Sequence, residues 1–521
     1  MQFHRSYALS SGALMATTAV AAAADPDLAV LATESLTAMQ GGQWQEAHAL
    51  LKRATDQFPK KEALSRFGPQ FGVIYYRKGL CEIKMERWQD AVASFSTCYK
   101  DFPNRNGTDN PYEKLALLKC GEAEMGAGEW NLALQQFTKF SEERVANRDD
   151  YPRGAFFINQ AVCHYHLGQI PEGNGNLEVA LRNRQVFPTP SAGIITGVDL
   201  LVSAAIKGGN EPALLDFLRK NRTDLAGDLV RPVESQQIFI KLSADAAEAN
   251  FVESAAILIS LLPAADGSAD ESMRLARLSV SALIHEKSQD LKAACADYAE
   301  MVSEFPKVQN RESNLLNLIR LGAVAEQPLE ERAKVCRQFL AEFPDSDQVP
   351  AVKQNLVAAL FDQGDYTACI ELVPPLIQSL PADGERMDFC THVLGASYYY
   401  KGNYDLAEPI LDEHVKKYPQ SRYARPTRFL QAVTAAALRE WQRAGGLLDS
   451  FVKAYPDFSA NPLLPFALYE RAVVHHAERE DQAALAALEK IGRDYPQSNV
   501  ATVANELMQE IRTPETMPGD Q

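Results

Sequence analysis

Apolar residues recur at three- and four-residue spacing along almost the whole chain, and the strict alternation expected of a strand is absent. Between Tyr404 and Tyr418, Leu406, Ala407, Ile410, Leu411, His414 and Val415 form one stripe, while Asp405, Glu408, Asp412, Glu413 and Lys416 point elsewhere. Gly402-Asn403 precedes this stretch and Tyr418-Pro419 closes it, which is natural helix punctuation. A similar pattern over Thr391 to Tyr400 ends at Lys401-Gly402. The spacing predicts two antiparallel helices joined by a tight turn.

The same phrase returns elsewhere. An aromatic residue is followed three positions on by a small one, and then by an aromatic-proline step. It reads Trp44, Ala47, Phe58-Pro59, then Trp88, Ala91, Phe102-Pro103, then Tyr404, Ala407, Tyr418-Pro419, then Trp441, Ala444, Tyr455-Pro456. In the C-terminal half the closing prolines Pro306, Pro344, Pro381, Pro419, Pro456 and Pro496 recur every 37 to 40 residues. Self-similarity at a fixed period is the signature of a solenoid built from one supersecondary unit. A solenoid also lets 521 residues fold without one oversized core, because each unit packs only on its neighbours. The prediction is an all-α, right-handed α-solenoid of helical hairpins, which is commonly a surface for partners.

Composition narrows the picture. Hydrophobic content of 46% against 23% charged marks a foldable chain. A net charge of −16, with no basic run interleaved with aromatics, argues against a nucleic-acid partner. Residues 1–24 read as a secretory signal: His4 and Arg5, then the apolar Tyr7 to Val20, then Ala22-Ala23-Ala24 before Asp25-Pro26. Its removal takes away one Arg and no acid, leaving −17. The expected location is periplasmic or secreted, without a lipoprotein cysteine. The apolar stretch Ala255 to Leu262 is far short of the ~20 residues a membrane helix needs, so no transmembrane segment is expected. None of the eight cysteines forms a CxxC pair, and they read as buried small hydrophobes. Cys98 and Cys120, on adjacent predicted helices, are the one disulfide candidate.

These residues resemble the tetratricopeptide repeat. Leu394-Gly395, Tyr398, Ala407, Leu411 and Pro419 match it best, Gly79, Ala91, Phe95, Cys98 and Pro103 next, and Gly121, Ala133 and Phe137 lack the closing proline. Gly395 and Ala407 are then expected where paired helices approach closely. The family's period is about 34, so these units carry a few extra residues; longer helical repeats of the HEAT type are the alternative architecture. The tails Phe343-Pro-Asp-Ser346, Tyr418-Pro-Gln-Ser421 and Tyr495-Pro-Gln-Ser498 read as turns with an N-cap, and are similar to envelope tetratricopeptide proteins of the Tol-Pal-associated and outer-membrane-assembly type. The expected organisation is a repeat array over 28–188, degenerate helical hairpins over 189–270 (or a kink or linker there), a second array over 271–511 and a disordered tail over 512–521. Within 189–270, Gly208-Gly209-Asn210 and Pro263 to Asp270 read as turns.

Enzyme signatures are missing: no HExxH, Walker loop, GxSxG elbow or EF-hand loop. Gly173-Asn174-Gly175 reads as a turn without a preceding strand, and His164 and His166, two apart on a helix, face different ways and chelate poorly. His164, His285 and His475 occupy the slot of Tyr398 and read as packing residues. Glu330-Glu331 reads as a solvated face. No catalytic residue, metal or cofactor is assigned. The resemblance implies a concave groove lined by the first helix of each pair, and by position Tyr76, Ile83, Leu118, Met125, His392, Tyr399 and Phe429 point into it. The function expected is an exported, non-enzymatic scaffold for protein partners in the cell envelope. Alternatives are a module for cell-wall glycan or another non-protein ligand, an enzyme site within 189–270, and a structural role or a cytoplasmic scaffold. If the leader is cut, mass spectrometry of the cell-derived protein will find an N-terminus at Asp25; a chain that retains Met1 overturns export by this route.

Overall fold

The computed structural model describes residues 25–104, 110–142, 153–186, 189–263, 271–381, 384–459 and 461–513. The proposed leader, residues 264–270 and 514–521 lie outside the described residues. Among the described residues the secondary structure is helical, with no strand. The chain divides into two compact units, Met1–Asp290 and Leu291–Gln521.

The first unit runs through α1 (Pro26–Gln40), α2 (Trp44–Gln57), α3 (Lys60–Phe67), α4 (Gly72–Lys84), α5 (Trp88–Asp101), α6 (Glu113–Gly126), α7 (Trp130–Glu142), α8 (Arg153–His166), α9 (Ile170–Arg182), α10 (Ser191–Gly208), α11 (Glu211–Lys220), α12 (Arg222–Leu225), α13 (Val233–Glu248), α14 (Val252–Ser260) and α15 (Glu271–Lys287). The second holds α16 (Leu291–Glu304), α17 (Arg311–Val324), α18 (Leu329–Glu342), α19 (Val349–Gln363), α20 (Tyr366–Ser379), α21 (Glu385–Tyr400), α22 (Tyr404–Lys417), α23 (Ala424–Ala437), α24 (Trp441–Ala454), α25 (Leu464–Ala477), α26 (Asp481–Asp494) and α27 (Val500–Arg512). Each unit is a row of antiparallel hairpins, so the all-α solenoid of tetratricopeptide-like pairs is borne out.

One turn geometry builds the hairpins. The first helix ends on a left-handed residue: Gly42, Glu86, Gly128, Gly168, Gly209, Asn250 and Gln289 in the first unit, and Glu326, Gly364, Gly402, Arg439 and Arg479 in the second. The next amide reaches back five residues to a carbonyl, as from Arg87 to Glu82 (2.8 Å) and from Asn403 to Tyr398 (2.9 Å). This is the Schellman closure, which satisfies the last carbonyls of a helix. Beyond it the second helix opens on the aromatic of the repeated phrase. That ring packs on the end of the following hairpin's first helix. Trp130 stacks on His166 at 3.8 Å and Tyr366 on Tyr400 at 4.7 Å, and Trp88 lies so close to Gly126 that a β-carbon there would meet it at 2.4 Å. The aromatic-proline step ends the second helix: proline disfavours helical backbone in the residue before it, and Phe58, Phe102 and Tyr418 are all held out of that conformation. Ser346, Ser421 and Ser498 accept from the amide two residues on, at 3.1, 2.9 and 3.3 Å. They cap the turn and not the helix itself, a one-step correction to the expected N-caps.

Within a hairpin the helices meet small residue against large. A β-carbon on Gly79 would sit 2.7 Å from Phe95, one on Gly121 2.6 Å from Phe137, and one on Gly395 2.7 Å from Leu411. Ala407, on the facing helix, is fully buried. The Gly173-Asn174-Gly175 segment belongs to this set. It lies inside α9, not in a turn, because the Tyr165 ring covers Gly173 at 2.4 Å from where a β-carbon would stand, and Asn174 accepts from the Tyr165 hydroxyl at 3.0 Å. Leu406 leaves the predicted stripe and is 53% exposed.

Residues 189–263 form α10 to α14, with Gly209 in the expected left-handed turn. Their side chains share one core with α8, α9 and α15, from Ile158 to Ile284. The 18-residue α10 is apolar and long enough to cross a membrane by length and composition, but Ile194, Ile195, Val198, Leu201, Val202 and Ala205 are packed into that core. All eight cysteines are buried. Cys98 and Cys120 are not bonded: Cys98 receives the Asn110 amide, and Cys120 turns toward the Val92 carbonyl.

A left-handed residue with a β-carbon costs roughly 1 kcal/mol more than glycine there. Arg439→Gly and Arg479→Gly are therefore expected to raise unfolding free energy by about 0.5–1 kcal/mol each in urea titrations, and Gly402→Ala to lower it by a similar amount. Unchanged midpoints would refute the role assigned to these turns.

Candidate functional site

The seven residues assigned to the inner face come from the first helices of four hairpins, and six of them form pairs seven residues apart. The structure separates each pair. Tyr76, Leu118 and His392 are buried, at 7, 2 and 7% exposure. Ile83, Met125 and Tyr399, two helical turns further on, are half-buried, as is Phe429, and all four also pack against the neighbouring cores.

Tyr76, Leu118 and His392 are covered by neighbouring helices. Tyr76 on α4 stacks on Tyr112 at 4.5 Å and meets the edge of Phe95 at 5.7 Å, and burial pushes its hydroxyl well above the usual range. Leu118 packs with Phe137, Phe140 and Phe156. His392 on α21 exchanges a 2.8 Å hydrogen bond with the Thr427 hydroxyl and stacks on Tyr423 at 5.0 Å. Burial, then the neighbouring His414, holds its imidazole down to about 4. A side chain so enclosed holds hairpins together and has little area left for a ligand.

Open positions gather rings in the second unit. Tyr399 lies 5.4 Å from Tyr400 and 5.6 Å from Tyr404, Tyr400 stacks on Tyr366, and Phe361 touches both Tyr366 and Tyr400. Tyr400 is 51% exposed. The sequence reading passed over Tyr400 and Tyr366, although the run Tyr398-Tyr399-Tyr400 was the available signal. In the first unit the open positions carry Ile83 and Met125, a softer and purely apolar surface.

Two polar clusters that the fold assembles are engaged mainly with the chain's own side chains. Glu82, fully buried, is met by His48 (3.1 Å), Lys78 (2.7 Å) and Ser94 (2.6 Å). In the second unit His414 bonds one Asp388 oxygen at 2.7 Å, while Ser421 donates to the other at 2.6 Å. Ser421 is thus attached to the acid and not to the base, so no hydroxyl is activated by the imidazole. His414 is completely buried, with no path for a substrate. His164 and His475, expected to pack, instead clasp their turns, at 2.8 Å to Gln169 and 2.7 Å to Glu480. His475, Glu478 and Glu480 place ligand atoms within 4.8 Å of one another, but the His475 nitrogen is already engaged by Glu480.

A family model for the tetratricopeptide repeat matches residues 74–105 and 466–498, that is α4 with α5 and α25 with α26. No curated protein matches the chain. Similar solved structures include Naa15/Naa10 bound to HypK-THB, 13% identical with a TM-score of 0.33 over 88% of this chain and 68% of that one. Another is the APC/C hetero-tetramer Cut9-Hcn1, 9% identical with a TM-score of 0.32 over 96% and 99%.

Because His392 is kept neutral by burial, its contribution to stability is complete above the unfolded value near 6.5 and is lost as pH falls through 4. His414 is lowered by burial as well and acts in the same direction. Between pH 7 and pH 4.5 the loss from His392 should be about 2–3 kcal/mol. His392→Asn, which cannot titrate, is expected to lose that much less over the same interval in urea titrations. An identical loss in both proteins would overturn this assignment.

Proposed function

We propose that this chain is an exported, non-enzymatic helical-repeat scaffold that holds protein partners of the cell envelope on the open positions of its first helices. One observation carries the proposal. At each seven-residue pair the chain covers the first member with its own helices and leaves the second, Ile83, Met125 or Tyr399, only partly covered. Large apolar and aromatic side chains left open on successive hairpins are the material of binding hot spots. The two tetratricopeptide matches support a scaffold, and the leader-like residues 1–24 support export. The closed polar clusters support a protein that binds without chemistry.

A photo-crosslinking residue placed at 83, 125 or 399 in cells is expected to trap discrete protein adducts, while the same group at the exposed Glu413 of α22 does not. Equal yields at 413, or none at any position, would refute the assignment.

A further inference from the structure

The turn between α25 and α26 brings three side chains with metal-ligating atoms together. Helix α25 ends at Ala477, and Arg479 adopts the left-handed conformation at φ 65°. Backbone hydrogen bonds fix the reversal, from Glu478 to Val474 (2.9 Å), from Arg479 to His476 (3.0 Å) and from Glu480 to His475 (2.8 Å). Side chains three and five residues after His475 therefore return to its side of the turn. His475, Glu478 and Glu480 each present one ligand atom, all within 4.8 Å of one another. His475 Nδ1 lies 2.7 Å from Glu480 Oε2. His475 and Glu478 are partly covered and Glu480 is exposed.

Clasping the turn does not need two acids. At the α8–α9 turn, His164 Nδ1 makes the same contact at 2.8 Å with Gln169, a neutral amide five residues on, and the position between them is Leu167. The backbone closes in the same way, from Gln169 to His164 at 2.9 Å. That turn is complete with one imidazole and no carboxylate. The α25–α26 turn puts carboxylates where the other has an amide and an apolar side chain. Among the described residues no side-chain donor reaches Glu478 within hydrogen-bond distance. Arg471 Nη1 stands 3.9 Å away, and that guanidinium is committed through Nε and Nη2 to Asp449, at 2.9 and 3.1 Å. The adjacent His476 is taken by Asp481 at 2.6 Å.

We propose that His475, Glu478 and Glu480 form a binding site for a divalent transition-metal ion of the Zn²⁺ class. An imidazole nitrogen with two carboxylate oxygens is a donor set that suits Zn²⁺, whereas Mg²⁺ and Ca²⁺ take oxygen alone. The two carboxylates match the charge of the ion, and three protein ligands leave a fourth position to water. Tetrahedral bonds of about 2.0–2.1 Å set ligand atoms about 3.3 Å apart. The His475–Glu480 contact must therefore open by about 0.6 Å and the widest spacing close by up to about 1.5 Å, shifts that side-chain torsions on a fixed turn supply. The ion takes the place of the proton between His475 and Glu480. In a neutral imidazole Nδ1 gives up its proton and Nε2 takes one, so the tautomer changes and no proton is released; a protonated imidazole releases one. The bound ion joins the end of α25 to the start of α26, apart from the partly open positions of α4, α6 and α21.

The test is titration of the full chain with Zn²⁺ against a chromophoric chelator, paired with thermal unfolding in the presence and absence of the ion. The wild type is expected to bind Zn²⁺ and to unfold at a higher temperature with it. The double variant Glu478→Leu/Glu480→Gln copies the α8–α9 turn, so it keeps the clasp on His475 and should unfold as the wild type does without metal. It is expected to bind Zn²⁺ at least about tenfold more weakly and to lose the rise in unfolding temperature. The pair Glu330→Gln/Glu331→Gln, which removes the same charge from α18, is the control and should leave affinity within about twofold. With Co²⁺ as the probe, the absorption spectrum is expected to report nitrogen and oxygen ligands. A thiolate charge-transfer band would put the ion on cysteine and overturn the site. So would a wild type that does not bind Zn²⁺, wild-type affinity in the double variant, or equal weakening by the control, which means general attraction to an acidic chain.

Discussion

The structure depends on how closely two helices of a hairpin can approach. Gly79, Gly121 and Gly395 have no β-carbon, and a large side chain sixteen residues on, Phe95, Phe137 or Leu411, fills the space that the missing atom leaves. Losing the large partner would open a cavity, which costs about 2–5 kcal/mol in a buried core. Enlarging the small one would drive the helices apart. The contact is local, so each hairpin forms its own core and then needs only a neighbour on each side. The left-handed turn makes the contact possible, because it reverses the chain in two or three residues and sets the register of sixteen. Six of the twelve turns use a residue other than glycine, which shows that the reversal is imposed by packing of the two helices and not by backbone preference alone.

The same geometry decides which side chains are free. A first helix must touch its own second helix and the first helices on either side. Near its start those neighbours crowd in, and Tyr76, Leu118 and His392 are spent on cohesion. Two turns later Ile83, Met125 and Tyr399 are only half-buried. The partly open side chains differ along the chain, with aliphatic and thioether groups in the first unit and tyrosines in the second.

Buried polar groups follow a second rule, which is closure. Glu82, His392, Asp388 and His414 would each be expensive to bury alone, and the fold gives each a partner on an adjacent helix. The His48–Glu82 and His392–Thr427 bonds tie one hairpin to the next, and His414–Asp388 joins the two helices of one hairpin. Closure is not complete, because Glu124 Oε2 and Asn314 Nδ2 are enclosed without a hydrogen bond.

Much of the fold was legible in the sequence because the period of the apolar stripe, the aromatic-proline stop and the glycine-large pair are all local in the chain. They specify hairpins without reference to distant residues. The small residues were legible for the same reason, and so was the left-handed turn wherever it is glycine. The turns at Glu86, Arg439 and Arg479 were not, because a charged residue carries no signal of left-handed backbone. The inner-face residues were only half legible. Spacing put Tyr76 and Ile83 on one side of a helix, but which of them is covered depends on helices more than thirty residues away in sequence. The run of tyrosines was visible as composition and became an open cluster only through contacts with Phe361 and Tyr366 of the preceding hairpin. The sequence by itself determined the repeating unit, because its causes lie within about forty residues; the tertiary structure alone decided exposure and charge pairing, because both depend on which neighbours a side chain meets once the hairpins are stacked.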